Sequence, residues 1–261
     1  MQTVQEIKAL LAKADAEEFE VLERSLAADM RKGVRNAVEI ARRRLDAQQK
    51  EEARLAGLYS FQAEIAQAHN AQVVLGLDEV GRGSIAGPLA VGGVVLPAAP
   101  LIDGLNDSKQ IAPARRESIA EDIRDVALAY TVQYVAPDFI DAHGMTLSLK
   151  KAFGAAIAAI EAQGVVPDIV LLDGNPLHLD EREVNVVKGD ARCAAIAAAS
   201  IVAKVERDAL MCDLAKEYPA YDLDDCKGYA SQKHIEAIKR EGLSPIHRAS
   251  FCTAFTQGSL F

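Results

Sequence analysis

Apolar residues recur at helical spacing through the first part of the chain. The first stripe consists of apolar residues three or four positions apart: Val4, Ile7, Leu11 and Ala14. Similar stripes follow as far as Ile65, and Gly33 interrupts the pattern where a helix end would be expected. Residues 1–70 are therefore predicted to form a helical extension ahead of the main domain.

From residue 71 the pattern changes to short apolar runs separated by turns and amphipathic stretches. Runs rich in branched residues predict five strands, at 73–78, 89–97, 130–135, 168–174 and 183–189. Amphipathic stretches predict helices at 113–127, 146–163, 194–218 and 231–241. The short link between the first two strands favours antiparallel pairing, whereas the later strands alternate with helices. Residues 71–261 are thus predicted to form an α/β domain with a five-stranded mixed sheet flanked by helices.

Composition narrows the class of protein. Half of the 261 residues are hydrophobic and 26% are charged, which excludes wholesale disorder. No apolar run approaches the roughly 20 residues that span a bilayer, and the N-terminus lacks the apolar stretch of a secretory signal. A cytoplasmic protein without a membrane partner is expected. The four cysteines include no C-x-x-C pair, which predicts reduced thiols rather than a zinc site.

The net charge of −9 disfavours a general affinity for polyanions. Nucleic-acid binding would therefore need a local basic surface or metal ions. Basic residues do cluster in the helical extension: Arg31, Lys32, Arg35, Arg42, Arg43 and Arg44. This cluster is interpreted either as a solvated helix face or as a patch that touches a nucleic-acid backbone.

Four carboxylates stand at the ends of predicted strands. Asp78 and Glu79 end the first strand, Asp173 ends the most apolar strand, and Asp190 follows the fifth. Burying a carboxylate there is costly unless it is paired or binds a cation, so a shared anionic pocket is indicated. Oxygen ligands without Cys or His favour Mg²⁺ or Mn²⁺, and two such ions would stabilise both the attacking and the leaving oxygen of a phosphoryl transfer.

Two features complicate this interpretation. The carboxylates could instead form ordinary salt bridges. Neighbours in a regular strand also point to opposite faces, so Asp78 and Glu79 are expected to share a site only if the chain bends there.

A glycine turn follows the first strand. Gly81 and Gly83, on either side of Arg82, would let backbone amides approach a ligand closely. The glycine spacing fits neither a phosphate loop nor a dinucleotide-binding fingerprint. Without further context, a plain hairpin turn is an equally good interpretation.

Several polar side chains are candidates for binding phosphate. They are Lys109, Ser200, Lys204, Arg207 and Arg248. Ser200, Lys204 and Arg207 fall on one helix face, although the last two could instead pair with neighbouring acids. His247, beside Arg248, either faces the substrate or makes structural hydrogen bonds.

Taken together, these residues resemble ribonuclease HII. The blocks that recur in that family's order are GLDEVGRGSIAGP (76–88), LNDSKQI (105–111), VLLDG (170–174), VKGD (187–190), AAASIVAKVERD (197–208), KGYAS (227–231) and SPIHR (244–248). The resemblance implies the ribonuclease H fold and metal-dependent endonucleolysis of RNA paired with DNA, including single ribonucleotides in duplex DNA. Cleavage on the 5′ side of the ribonucleotide would leave 3′-hydroxyl and 5′-phosphate ends. DNA repair, primer removal and a monomeric enzyme are the corresponding expectations.

The resemblance also implies roles for individual residues. The metal ligands would be Asp78, Glu79, Asp173 and Asp190, holding two Mn²⁺ or Mg²⁺ ions during catalysis. The Gly81–Gly83 turn would read the 2′-hydroxyl that distinguishes RNA from DNA. Tyr229 would stack on the sugar of the following deoxynucleotide; judged without the family, it would be an ordinary half-buried tyrosine.

Other assignments stay open. Ribonuclease HIII shares the architecture, although Arg82, Tyr229 and the helical extension favour HII. The alternative from a different functional class is a nonhydrolytic protein that binds RNA/DNA hybrids or serves as an adaptor for a sliding clamp. The chain ends in QGSLF (257–261), which looks like the peptides that dock on bacterial sliding clamps, or is an ordinary tail.

Overall fold

The structure is a computed structural model that describes residues 2–256. The chain divides into two compact units between Ala56 and Gly57. The helices have the following bounds: α1 (Val4–Lys13), α2 (Ala16–Leu26), α3 (Lys32–Ala68), α4 (Pro113–Val126), α5 (Pro137–Glu161), α6 (Ala194–Glu217), α7 (Leu223–Cys226), α8 (Gln232–Glu241) and α9 (Thr253–Thr256). The strands are β1 (Val74–Val80), β2 (Leu89–Val95), β3 (Ala129–Val135), β4 (Ile169–Asp173) and β5 (Glu183–Val186).

The first unit packs α1, α2 and the first half of α3 around a small apolar core. Its fully buried members include Ile7, Leu11 and Val34. Capping boxes begin α1 and α2, where Thr3 and Asp15 accept hydrogen bonds from the third residue of each helix. Gly33 lies in the first turn of α3, so the expected helix end at this position is wrong. A Cβ there would stand 2.8 Å from Val4, which explains the small residue.

The second unit is built on a five-stranded sheet with the order β3-β2-β1-β4-β5. β1 pairs with β2 and β2 with β3 in antiparallel fashion, whereas β1–β4 and β4–β5 are parallel. The predicted mixed sheet of five strands is therefore confirmed. The short loop between β1 and β2 allows their antiparallel pairing. α5 leads into β4, the parallel neighbour of β1, whereas β4 and β5 are joined by a segment without a helix, 174–182.

Helices cover both faces of the sheet. α5 packs on the face that carries Leu75 and Leu77, and α6 packs on the opposite face. α5 consists of two helical segments joined by a kink at Gly144, whose φ of 77° and ψ of 167° are not helical. The segment after Gly144 corresponds to the helix predicted from about residue 146, whereas the segment that begins at Pro137 was not predicted. α6 contributes a fully buried run from Ala194 to Ala199 that consists of alanines apart from Ile196.

Two glycines in the sheet allow α6 to lie unusually close. A Cβ on Gly76 would stand 2.2 Å from the backbone of Ala195, and one on Gly92 would stand 2.2 Å from the carbonyl oxygen of Ala199. Any side chain at either position would push the helix away from the sheet. This close contact fixes the position of Ser200, the next α6 residue, relative to the end of β1.

Two further expectations concern membranes and thiols. Among the described residues, none of the helices is both long and apolar enough to cross a membrane. The four cysteines are free, as their spacing predicted.

Candidate active site

The topology brings the predicted carboxylates to one edge of the sheet. β1 and β4 are parallel neighbours with Leu77 paired to Leu172, so Asp78 and Asp173 follow at adjacent strand ends. Side-chain alternation places both on the face covered by α6. Asp190 lies in a single 3₁₀ turn, Gly189–Ala191, that comes shortly after β5.

Glu79 shares this environment without the expected bend. β1 stays regular through Val80, with Glu79 paired to Val91 of β2, so the predicted bend between Asp78 and Glu79 is wrong. The chain turns only at Gly81, where φ is 80°. Both carboxyl groups nevertheless sense the charge of Asp173, because all three residues stand at the same edge of the sheet.

Burial and mutual repulsion disfavour ionisation of these acids. The Asp78 carboxyl is buried, and this burial together with the charges of Glu79, Asp173 and Asp190 raises its pKa well above the ordinary value. Burial is also the largest cause that raises the pKa of Glu79 and that of Asp173. A bound cation would stabilise the ionised form of these carboxyl groups and so lower their pKa values.

Hydrogen bonds orient individual carboxylates. Ser200 on α6 hydrogen-bonds to Asp78, and the Gly189 amide donates to Asp173 Oδ1 at 2.6 Å. The Arg82 guanidinium donates to Glu79 Oε1 at 3.3 Å. The carboxylates are thus held by neighbours that leave much of their charge uncompensated.

A cavity of about 420 Å³ opens beside Asp78 and Glu79. The glycine turn Gly81–Gly83 also lines it, together with Tyr229. So do three of the five predicted phosphate-binding side chains: Lys109, Ser200 and Lys204. Tyr229 is 40% exposed, so its ring is accessible. The space around the missing side chain of Gly83 is open.

A family model for ribonuclease HII matches residues 75–254, and a model for the ribonuclease HII N-terminal domain matches residues 3–66. The chain belongs to the ribonuclease HII family. Its members are endoribonucleases of the ribonuclease H type. The chain is therefore an enzyme and not the nonhydrolytic binding protein that was the alternative. The matched regions also place the chain with HII rather than HIII.

Individual ribonucleases HII agree with this assignment. The Halalkalibacterium halodurans protein is 37% identical over 249 residues, which are 95% of this chain and 93% of that protein. The solved structure of the PCNA:RNase HII complex from Archaeoglobus fulgidus matches 72% of this chain and 98% of its own, with 28% identity and a TM-score of 0.59. Ribonuclease H2 from Pyrococcus horikoshii OT3 gives 27% identity, the same TM-score, and coverage of 72% and 100%. The ribonuclease H-like fold is therefore confirmed.

The described residues do not form a closed metal site of protein ligands. Within residues 2–256, no group of three or more His, Cys, Asp or Glu side chains is arranged to hold a single metal ion. The donor set still fits Mg²⁺ or Mn²⁺, since Mg²⁺ is usually bound by one or two carboxylates together with substrate phosphates. The raised pKa values of buried Asp78 and of partly buried Glu79 and Asp173 are consistent with such a site.

Two predicted phosphate ligands lie inside the protein instead. Arg207 and Arg248 are fully buried, and in this structure their guanidinium groups bind backbone carbonyl oxygens rather than lying open to a phosphate. Arg207 donates to the carbonyl oxygens of Pro88 and Lys227, at 2.9 Å each. Arg248 donates to the carbonyl oxygens of Gly87 and Arg82.

The buried arginines explain why the glycine turn has its shape. A Cβ on Gly81 would stand 2.2 Å from Arg207 Nε, in a backbone conformation that already favours glycine. Arg207 thus packs beneath the turn, while Arg248 binds the carbonyl group of Arg82 within it. Both guanidinium groups support the turn from below.

The other candidates divide between the cavity and local pairing. Lys204 lines the cavity but pairs with Asp208 at 2.7 Å, which was the alternative left open for it. Ser200 Oγ lies 3.0 Å from Ser108 Oγ in addition to contacting Asp78. His247 is buried and makes structural hydrogen bonds.

Sequence patterns missed two residues near the site. Ser108 binds Ser200, and its place directly before Lys109 was the only signal available. The His234 ring lies within hydrogen-bond distance of the Tyr229 carbonyl oxygen and of the His247 ring. Nothing in the helical pattern around His234 distinguishes it from an ordinary buried residue.

The arginine cluster of the first unit is largely paired. Arg31 binds Asp29, Arg42 binds Glu23 and Arg43 binds Glu39, while Arg44 donates to the carbonyl oxygens of Leu11 and Ala14. Such pairing reduces the field available to a phosphate backbone, which favours the solvated-face interpretation. The clamp-like peptide 257–261 lies outside the described residues.

Proposed function

We propose that this enzyme hydrolyses the RNA strand of RNA/DNA hybrids and cuts on the 5′ side of single ribonucleotides in duplex DNA. The products would carry 3′-hydroxyl and 5′-phosphate ends. The observation that carries the proposal is one cavity lined by Asp78, Glu79, the Gly81–Gly83 turn and the exposed Tyr229. Ribonucleotide removal in DNA repair and removal of RNA primers are the roles that this activity would serve.

The carboxylates Asp78, Glu79, Asp173 and Asp190 would hold Mg²⁺ or Mn²⁺. Bound ions of this kind supply Lewis-acid stabilisation of a phosphoryl transition state and an activated water for in-line attack. The protein's own contribution is orientation: Ser200 and the Gly189 amide fix the directions of Asp78 and Asp173. The family membership supports metal dependence in general terms, and the oxygen-only donor set supports hard ions.

Recognition of the ribose would come from the glycine turn and Tyr229. Backbone groups at Gly81–Gly83 can approach a 2′-hydroxyl closely because the turn has no bulky Cβ on either glycine. Tyr229 offers a ring face for stacking on the next sugar, and Lys109 and Lys204 at the cavity rim offer positive charge to phosphates. Together these groups would favour a ribose flanked by deoxynucleotides.

A cleavage assay tests the proposal. Labelled duplexes carrying one ribonucleotide, a continuous RNA strand or DNA alone are incubated with Mg²⁺, Mn²⁺, Ca²⁺ or EDTA. Cleavage 5′ to the single ribonucleotide and along the hybrid, with Mg²⁺ or Mn²⁺ only, is expected. Cutting of the DNA duplex, equal activity in EDTA, or an intact single-ribonucleotide duplex would contradict it.

We also propose that the segment Gln257–Phe261 docks on a sliding clamp. The resemblance of QGSLF to clamp-binding peptides supports this, and the related Archaeoglobus protein forms a complex with PCNA. Purified bacterial clamp should be retained by the wild-type chain and lost on combined Leu260→Ala and Phe261→Ala substitution. Equal retention by both chains would contradict the docking role.

A further inference from the structure

Two buried histidines lie in direct contact behind the cavity. His234 comes from α8 and His247 from the segment after it, and their Nε2 atoms are 3.1 Å apart. His234 is fully buried and His247 is 5% exposed. At this distance the two rings form a hydrogen bond, in which the N–H of one imidazole donates and the unprotonated nitrogen of the other accepts.

The neighbouring hydrogen-bond donors determine which imidazole ring donates and which accepts in this contact. Three atoms of Ser244 surround His247 Nδ1: the backbone N–H donates to it at 3.0 Å, the hydroxyl oxygen lies 2.8 Å away, and the carbonyl oxygen is more distant at 3.3 Å. The two shorter contacts favour an Nδ1 that accepts and carries no proton. Neutral His247 is therefore protonated on Nε2 and donates to Nε2 of His234. His234 then carries its proton on Nδ1.

The Nδ1–H of His234 completes the chain on Tyr229. It lies 2.9 Å from the carbonyl oxygen of Tyr229, which also accepts the N–H of Ser231 at 2.8 Å. Both lone pairs of this carbonyl oxygen are thus used. In the reverse proton arrangement, His247 Nδ1–H would point at the Ser244 N–H and have only the 3.3 Å contact to the Ser244 carbonyl oxygen as an acceptor. At Tyr229, an unprotonated His234 Nδ1 would face a carbonyl oxygen, which is also an acceptor.

We propose that His234 and His247 are positioning residues that fix the Tyr229 segment for recognition of a single ribonucleotide. The inference rests on the proposed contact between Tyr229 and the substrate. Ser244, His247 and His234 form a directed hydrogen-bond chain that ends on the peptide group of the stacking residue. This group holds the Tyr229 ring at the cavity rim, where a small rotation would displace it from a sugar.

The environment of the pair favours its neutral form. The Tyr221 ring packs edge-on against His247, Cys226 Sγ lies 3.5 Å from His234 Nδ1, and Asp222 acts on His234 only as a more distant charge. Burial lowers the pKa of His234, and burial together with the neighbouring His234 lowers the pKa of His247 to about 4. At neutral pH the directed chain is therefore intact.

Two substitutions at one position separate positioning from general packing. His234→Leu removes the donor to Tyr229, whereas His234→Asn retains an N–H near the former Nδ1. We expect the ratio of kcat/KM on single-ribonucleotide duplex to kcat/KM on continuous hybrid to fall about 3- to 10-fold for His234→Leu. His234→Asn should restore most of this ratio, and the exposed His69→Leu should leave it unchanged.

A double-variant cycle tests whether His234 acts through Tyr229. In a Tyr229→Ala background, His234→Leu should cause no further loss in the ratio, because the positioned ring is absent. If Tyr229→Ala itself leaves the ratio unchanged, the proposed contact of Tyr229 fails. If Tyr229→Ala lowers the ratio but His234→Leu does not, or lowers it equally in both backgrounds, only the positioning role fails.

The wild-type chain offers a check that does not depend on folding of a variant. Nitrogen-15 NMR of labelled histidine at pH 7 should give two neutral rings, with His234 protonated on Nδ1 and His247 on Nε2. The opposite tautomers, or an imidazolium at either position, would overturn the inference.

Discussion

The ammonium group of Lys109 lies 3.5 Å from a carboxylate oxygen of Asp190. Burial acts to lower the pKa of Lys109, but the negative charges of Asp190, Asp107 and Asp78 outweigh it and raise the pKa above its ordinary value. Lys109 is therefore a permanent cation at the mouth of the carboxylate cluster. It can balance charge in the free enzyme and meet a phosphate when substrate binds.

Lys109→Met should weaken substrate binding uniformly across sequences. Loss of one phosphate contact should reduce the slope of log K against log salt concentration by about 1. Fluorescence anisotropy with hybrid in Ca²⁺, repeated over a salt series, measures the slope. Lys216→Met, which removes an exposed lysine paired with Asp213, is the control and should leave the slope unchanged. An unaltered slope for Lys109→Met would argue against its phosphate contact.

Asp173→Asn should abolish cleavage without unfolding the protein. The asparagine oxygen can still accept the Gly189 amide, but the negative charge that would bind Mg²⁺ is gone. We expect kcat/KM to fall by about 10²- to 10³-fold or more, with an unchanged circular dichroism spectrum. Asp213→Asn, an exposed carboxylate on α6, serves as the matched control. Near-normal turnover by Asp173→Asn would refute its metal-binding role.

Asp78 makes the metal-free protein less stable as pH rises. Between the ordinary pKa of 3.8 and the raised pKa of buried Asp78, the folded state holds a proton that the unfolded state releases. The free energy of unfolding therefore falls as pH increases through that window. Asp78→Asn removes this penalty, so its Tm in EDTA should exceed that of wild type at pH 7 and the difference should shrink towards pH 4. Thermal unfolding at several pH values checks this, and a lower Tm for Asp78→Asn at pH 7 would contradict it.

Tyr229→Ala should impair cleavage at single ribonucleotides more than along continuous hybrids. Stacking on an aromatic ring contributes about 1–3 kcal/mol, which corresponds to about 5- to 150-fold in kcat/KM. Tyr229→Phe keeps the ring and should retain most activity. Parallel kinetics on the two substrates measure the difference. An equal loss on both would count against a role at the junction.

The sequence predicted the secondary-structure elements and the faces of the helices better than it predicted how deeply individual side chains are buried. Runs such as IVLL predict a buried strand that ends in an acid, but the parallel pairing of β1 with β4 that brings Asp78 and Asp173 together was seen only in the structure. Helical spacing likewise put Lys204 and Arg207 on one face of α6. It could not show that Lys204 reaches the cavity while Arg207 is buried, because the depth depends on Gly81 and Gly87, which leave room for the guanidinium.

Sequence patterns also could not predict contacts between segments that are distant along the chain. The bond between His234 and His247 joins α8 to a loop, and neither residue belongs to a periodic pattern that predicts the other. The helical segment between Pro137 and Gly144 was also missed. It is only about two turns long before the kink at Gly144, too short for its apolar spacing to predict a helix.

Arg207→Lys should destabilise the protein although it conserves the charge. A lysine has one nitrogen and cannot replace the three that bind Pro88, Lys227 and Ser84, so buried acceptors lose their donors. We expect unfolding free energy to fall by about 2–4 kcal/mol and Tm by about 5–15 °C. Urea denaturation measures the change, and the exposed Arg240→Lys should alter stability by less than about 0.5 kcal/mol. Equal stability of Arg207→Lys and wild type would mean that solvent or neighbouring side chains satisfy these acceptors, and the guanidinium would then have no supporting role beneath the glycine turn.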